Sequence, residues 1–222
     1  MAGLIFLGYW AVDGLGCGLG RRELHSAEAI LDGARTVLLA DSPATIAEIA
    51  AVSGAPAGSI YHRFESRDAL LAETWIRASV CSQRRFIAAI ESADGPVDGA
   101  VAAGLSVFDF ADDQCDDARL LASLRREQVI RSPLPPQLTS RLDELNKPVE
   151  AAIGRLARDL YGTSSREHRR QVVLATIDIP HGAIRQFLIA GTPAPRSLRP
   201  LVEHAIRAVL NARLSPGSVR VT

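Results

Sequence analysis

Little in this chain points to a partner through bulk charge. Its 222 residues carry 25 basic and 25 acidic side chains, so no basic excess draws it to polyanions in general, and any nucleic-acid contact has to be local. Lysine is almost missing. Lys147 stands alone and every other basic residue is arginine, the better bidentate partner for phosphate and guanine. Cysteine is scarce as well: Cys17, Cys81 and Cys115 are odd in number and far apart, which excludes a disulfide framework and a structural zinc site. Buried free thiols are expected at Cys81 and Cys115. Aromatics make up only 5% and β-branched residues rarely cluster, while alanine and leucine dominate, a mix that favours helices over strands.

Motifs of catalysis are missing too. There is no nucleophile elbow, no H-E-x-x-H, no metal-ligand spacing and no glycine-rich phosphate loop. Asp112, Asp113, Asp116 and Asp117 cluster without the glycine and glutamate of a calcium loop, so they read as a solvated acidic loop. No catalytic residue, metal or cofactor is expected. The apolar run from Leu4 to Val12 is too short to span a bilayer and has no basic segment before it. Six glycines lie within residues 1–20 and oppose a stable helix there. These residues are expected to form a flexible extension, consistent with a start codon assigned too far upstream.

What is present is hydrophobic repetition at helical spacing, in a chain that is 47% hydrophobic. Leu24, Ala27, Leu31, Ala34 and Leu38 mark one helix face, ended by Asp41-Ser42-Pro43. Thr45 and Glu48 form a capping box for a short second helix, which Gly54 closes. A break, GAPA, precedes a third helix on Ile60 and Phe64. A fourth is predicted from Ser66 as cap through Leu70, Leu71 and Trp75 to Ile90. Two short helices joined by a glycine-containing turn, with another packed before them, make a helix-turn-helix.

Further helices are predicted from Val97 to Phe110, from Ala118 to Arg131, and as one long element from Leu138 to Leu160. The next is capped by Ser164 or Ser165 and kinked at Pro180. The last spans Leu198 to Leu210. The fold class is therefore all-α: a helix-turn-helix unit over residues 21–66, then a larger bundle over 67–222.

In a helix-turn-helix the second short helix enters the DNA major groove. It would present Ala57, Gly58, Ser59, Tyr61, His62 and Arg63, while Ile60 and Phe64 turn inward. Small residues at its start permit close backbone approach. Tyr61 and His62 suit base edges or phosphates, Arg63 and Arg67 suit phosphate oxygens, and Thr45 marks a helix N-terminus where a phosphate can sit. Arg21 and Arg22 could reach a minor groove. On spacing alone, a helical hairpin without DNA affinity fits equally well.

The run ATIAEIAAVSGAPAGSIYHRFESRDALLAE, residues 44 to 73, resembles the DNA-binding unit of the tetracycline-repressor (TetR) family of bacterial transcription regulators. Thr45, the I-A-E-I-A of the second helix, Gly54, and G-S-I-Y-H-R-F followed by S-R-D-A-L-L carry the resemblance, which spans residues 24 to 73. It implies DNA contacts at Thr45, Ser59, Tyr61, His62 and Arg67. It implies repression of a double-stranded operator, relieved by a small-molecule effector bound in the C-terminal bundle. It also implies a cytoplasmic homodimer formed through the last two long helices, with no membrane partner. Three positions depart from the family pattern. Pro56 replaces a usual serine, Ala57 a basic or polar residue, and Arg63 a frequent histidine, so the operator cannot be read from the family. Trp75, Phe86, Phe108, Phe110 and His181 are the candidates to line the effector pocket. An all-helical ligand-binding or scaffold protein without DNA affinity is the alternative.

Overall fold

The computed structural model describes residues 26–124, 130 and 132–212. The glycine-rich segment 1–20, Arg21, Arg22, Leu24 and Cys17 lie outside the described residues. Within them every regular element is helical. Helix α1 (Ala27–Leu39) starts under Ser26, whose Oγ accepts from the Ala29 amide. Helix α2 (Ile46–Ser53) has the reciprocal box that Thr45 and Glu48 suggest, and it ends at Gly54 with φ 71°, a left-handed conformation open to glycine at little cost. Helix α3 (Ala57–Phe64) follows, then the long α4 (Arg67–Glu91) under Ser66.

Helix α5 (Pro96–Asp113) returns along α4. The acidic stretch after it is not the loop that charge suggested. A single residue, Gln114, separates α5 from α6 (Cys115–Ser123). Asp116 and Asp117 lie in the first turn of α6, where a negative charge meets the positive end of the helix dipole. Helix α6 thus begins earlier than Ala118, and the described helix stops at Ser123 rather than Arg131, with residues 125–129 and 131 outside the described set. Cys115, at the first position of α6, is exposed rather than buried, and Cys81 is intermediate.

The single helix expected from Leu138 to Leu160 is two: α7 (Pro136–Glu144) and α8 (Lys147–Tyr161). Pro148 explains the split, because it cannot donate a backbone bond and is tolerated only in a first turn. Helix α9 runs from residue 166 to 190, capped by Ser165. Pro180 does not break it. A π-turn over Leu174–Asp178, with the Ile179 amide reaching the Leu174 carbonyl, opens the helix just before the proline, so the chain bulges instead of losing its register. Helix α10 (Leu198–Asn211) closes the fold. Its C-terminal carbonyls are met by the buried Gln171, whose Nε2 donates to Val209 at 2.6 Å and to Ala212 at 2.8 Å.

Two large apolar centres hold these helices, with a smaller third joining α4 to α7 through Ile76, Leu138 and Leu142. One joins α1 to α4, with Ile30, Ile49, Ile60 and Leu70 wholly buried, and it reaches Leu120 of α6. The other fills the bundle of α4, α5, α8, α9 and α10 around Phe86, Phe110, Leu156, Ile184 and Ile206. Gly104 lets α5 approach closely: a Cβ there would fall 2.5 Å from Ile206 Cδ1 and 3.3 Å from Pro180 Cγ. Helix α9 is apolar and long enough to cross a membrane, with a mean hydropathy of 1.3 in its best window, and one face of it lies in this core.

Candidate nucleic-acid interface

The surface of α3 follows from how its other side is held. Ile60 is fully buried against α1, α2 and α4, and Phe64 packs half-buried beside it. Residues on the opposite side are therefore forced outward. Ala57, Gly58, Tyr61, His62 and Arg63 are exposed and Ser59 is half-buried. Tyr61 keeps 52% of its surface, unusual for a tyrosine with no interior to pack into. The leading end of α3 has no side-chain cap, because Pro56 stands at the capping position. The first amides of the helix thus stay available to an outside acceptor. A Cβ added at Gly58 would meet nothing within 4 Å, so open space lies directly over this turn.

Thr45 and Arg67 are placed differently from the α3 residues. Thr45 is exposed, but Glu48 engages it fully: the Thr45 amide donates to Glu48 Oε2 at 2.7 Å and the Thr45 hydroxyl does so at 2.8 Å. Hydrogen bonds from Ser42, first, and then from the Thr45 backbone and hydroxyl hold the Glu48 carboxyl below the usual carboxylate range. Arg67 points back into the protein. Its Nε donates to the Ala44 carbonyl at 3.0 Å, its Nη2 to the Pro43 carbonyl at 2.6 Å, and its remaining nitrogen pairs with Asp68. Ala44 needs that brace, since it is wholly buried at φ 53°, a strained angle for a residue with a Cβ.

The pocket candidates separate in the same way. Phe86 and Phe110 are packed into the bundle core, where their burial accounts for them without a ligand. Trp75 lies half-buried between the α1–α4 centre and the smaller cluster that joins α4 to α7. His181 is on the outer face of α9 with its Nδ1 2.9 Å from the Ile177 carbonyl. Of the five, Phe108 alone lines a groove of roughly 720 Å³ among α5, α6, α9 and the α9–α10 loop. Sequence reasoning missed that groove because its walls come from four separated segments, and it missed a cluster of ion pairs beneath α1. There Arg35 meets Asp117 at 2.8 Å, and Arg77 meets Glu28 and Asp32 at 2.8 Å each.

Comparison with known proteins agrees with the geometry. Residues 30–74 match the family model described as bacterial regulatory proteins, tetR family. No curated protein matches the chain. Solved structures do. The fatty acid degradation regulator FadR from Bacillus halodurans is similar at a TM-score of 0.62 and 15% identity, over 85% of this chain and 100% of that one. FadR from Bacillus subtilis, solved in complex with stearoyl-CoA, gives 0.63 and 12%, over 84% and 98%. A tetR-family regulatory protein from Rhodococcus RHA1 gives 0.60 and 18%, over 85% and 98%. The fold, with α1 to α3 before a helical bundle, is that of these regulators.

Proposed function

From a TetR-family, DNA-binding transcriptional regulator we infer a cytoplasmic repressor that works as a homodimer and leaves its operator when a small molecule binds the bundle. The observation that carries the reading is the two-sidedness of α3. Ile60 is 0% exposed while Tyr61, His62 and Arg63 all stand in solvent. Such a helix is held rigidly from behind, and its polar row faces outward, where a major groove can take it. Within that row Tyr61 and His62 read base edges or phosphates and Arg63 takes a phosphate. Ala57, Gly58 and Ser59 bring the uncapped start of α3 close to the backbone. Thr45 and Arg67 support the interface by shaping the turn before α2.

Dimerisation is supported by apolar side chains that the chain leaves uncovered on its last two long helices. Leu174 is 43% exposed, Ile189 46% and Leu201 64%. The opposite faces of the same helices bury Val172, Ile184, Val202 and Ile206 in the bundle. A second copy laid against the outer faces would complete a four-helix contact about a two-fold axis. Two copies of α3 then address two half-sites about one helical turn apart, ~34 Å. Effector binding lowers operator affinity by favouring a spacing of the two α3 helices that misses adjacent grooves. That the Bacillus subtilis neighbour was solved with stearoyl-CoA supports a small-molecule effector here.

Selection from a random double-stranded DNA library, followed by gel-shift titration, tests the reading. A sequence with two related half-sites should be enriched, and Tyr61→Ala or Arg63→Ala should abolish its retention at moderate salt. Sedimentation should give twice the 23.8 kDa of the chain. Absence of any enriched sequence would leave the alternative of a helical protein without DNA affinity.

A further inference from the structure

The groove that Phe108 lines differs from the packed interior of the bundle. Its floor is apolar: Phe108 and Leu188 are 6% and 7% exposed, Ile184 is wholly buried, and Phe187 and Ala111 are half-buried beside them. Its rim carries Arg196, Arg199 and Asp112. Arg196 is exposed and has no carboxylate partner among the described residues, and Arg199 stands on the same side. Asp109 holds Arg199 at 2.7 Å, and the guanidinium carbon lies 6.0 Å from the centre of the Phe108 ring. The head group of Arg199 is thereby fixed where the apolar floor meets the rim. Asp112 is the one acid that lines the groove. Behind the loop, Arg119 approaches Gly191 so closely that a Cβ there would lie 3.4 Å from its Nη2, and the Arg119 Nε is shut from solvent without an acceptor.

A space of roughly 720 Å³ is within the range of small-molecule sites, which pair apolar walls with a few placed polar groups. We propose that this groove is the effector site and that it takes an amphipathic organic anion, its hydrocarbon body on Phe108, Ile184, Phe187 and Leu188 and its carboxylate or phosphate at Arg196 and Arg199. The proposal rests on the regulator reading above and supplies its ligand class. A neutral hydrocarbon would leave Arg196 without a counter-charge, and a cation would meet two arginines. An anion supplies the counter-charge that Arg196 lacks while its hydrocarbon body covers the apolar floor.

The place of the groove also gives a route to the DNA. Cys115 lines it and also lines the cleft between α1, α4 and α6. Two residues on, Asp117 takes Arg35 of α1 at 2.8 Å. Helix α6 is only nine residues long, so a body that displaces its first turn acts directly on the contact that fixes α1. The positions of α1 and of the recognition helix α3 behind it then follow the occupancy of the groove.

Isothermal calorimetry with decanoate, 1-decanol and decyltrimethylammonium on the full chain tests this. Decanoate should bind at one site per chain, and tighter than the other two. The double variant Arg196→Glu/Arg199→Glu should weaken decanoate about ten- to a hundredfold, the usual loss when charge-assisted contacts go, and Arg196→Glu alone should weaken it with the thermal midpoint unchanged. Ala111→Trp, which fills the groove, should abolish binding without needing the arginines. A gel shift on the selected operator, run first without any probe, separates the two levels. No DNA binding at all would sink the regulator reading alone. The effector proposal is overturned if DNA binds but decanol matches decanoate, if the charge reversal changes nothing, or if saturating decanoate leaves operator affinity unaltered. It is also overturned if no probe binds and the charge reversal shifts the monomer–dimer equilibrium, because the groove would then be covered by the second copy.

Discussion

Arg35 in α1 donates from Nη1 to Oδ1 of Asp117 in α6 at 2.8 Å, joining positions 82 apart in the chain. Asp117 is 6% exposed. Burial alone would lower the Arg35 pKa, but the hydrogen bond to Asp117 and the charges of Asp117, Asp32 and Asp116 raise it beyond that loss. Asp117→Asn keeps the shape of the side chain and removes its charge. The Arg35 and Arg77 guanidiniums, each with a solvent-shielded Nε that has no acceptor, would then share less negative charge. A loss of about 1–3 kcal/mol is expected for breaking such a partly buried pair, read as a lower urea midpoint at unchanged slope. An unchanged midpoint would make the pair a surface contact of no consequence.

Arg67 yields a prediction that separates two roles. A phosphate-contacting arginine, when removed, reduces the slope of log affinity against log salt by about one. Arg67 instead donates to Pro43 and Ala44 and braces Ala44 at its positive φ. Arg67→Ala should therefore lower the thermal midpoint and weaken operator binding while leaving the salt slope as in the wild type. Arg67→Lys should not restore the midpoint, because one ammonium cannot reproduce the forked contact with two carbonyls. A shallower slope with an unchanged midpoint would return Arg67 to the phosphate.

These two residues show where reading the sequence succeeds and where it stops. Helix ends with local chemistry were legible: Thr45 with Glu48, Ser66 and Ser165 cap helix starts through their side chains, and Gly54 closes α2, since a cap depends on three or four neighbouring residues. The outward face of α3 was legible for the same reason, from Ile60 and Phe64 four apart. Helix continuity was not. Apolar spacing runs unbroken past Asn146 and Pro148, so it hides the stop that Pro148 imposes by taking a place in the first turn of α8. At Pro180 the opposite holds, because a π-turn absorbs the missing amide. Partners distant in sequence left no signal at all. Nothing in the neighbourhood of Arg67 indicates Pro43, and nothing near Asp117 indicates Arg35. The aromatic candidates for the pocket were not ranked by sequence either, since helical spacing cannot distinguish Phe110, at 2% exposure in the core, from Phe108, which reaches a groove.

Gly33 faces α2 at close range. A Cβ on it would lie 2.9 Å from Ser53 Cβ and 3.2 Å from the Ser53 amide nitrogen. The Ser53 hydroxyl is itself bound to the Ile49 carbonyl at 2.7 Å, so the serine has little freedom to yield. Alanine gains ~1 kcal/mol over glycine in a helix interior, but overpacking costs about 1–3 kcal/mol. Gly33→Ala should therefore destabilise, and the loss should appear as faster amide exchange in α2 and α3 than in α8. A stabilised variant would show that the two helices can separate without cost.

The Glu48 carboxylate makes the turn before α2 sensitive to acid. Its pKa is lowered in the folded protein by Ser42, through a bond of 2.5 Å, and by the backbone and hydroxyl of Thr45. A carboxyl with a depressed folded pKa contributes stability that is fully present above its unfolded value, near 4.5, and is lost as pH falls through the folded value. The difference in stability between wild type and Glu48→Gln should be constant from neutral pH down to the ordinary carboxylate range and should close below it. Gln can still donate toward the Thr45 hydroxyl but cannot accept three hydrogen bonds as an anion, so the capping box weakens at neutral pH. Urea unfolding of both proteins at a series of pH values measures the gap directly. A gap that persists at a pH well below the folded pKa would mean that the carboxylate's charge contributes nothing, and that Gln acts only through its shape.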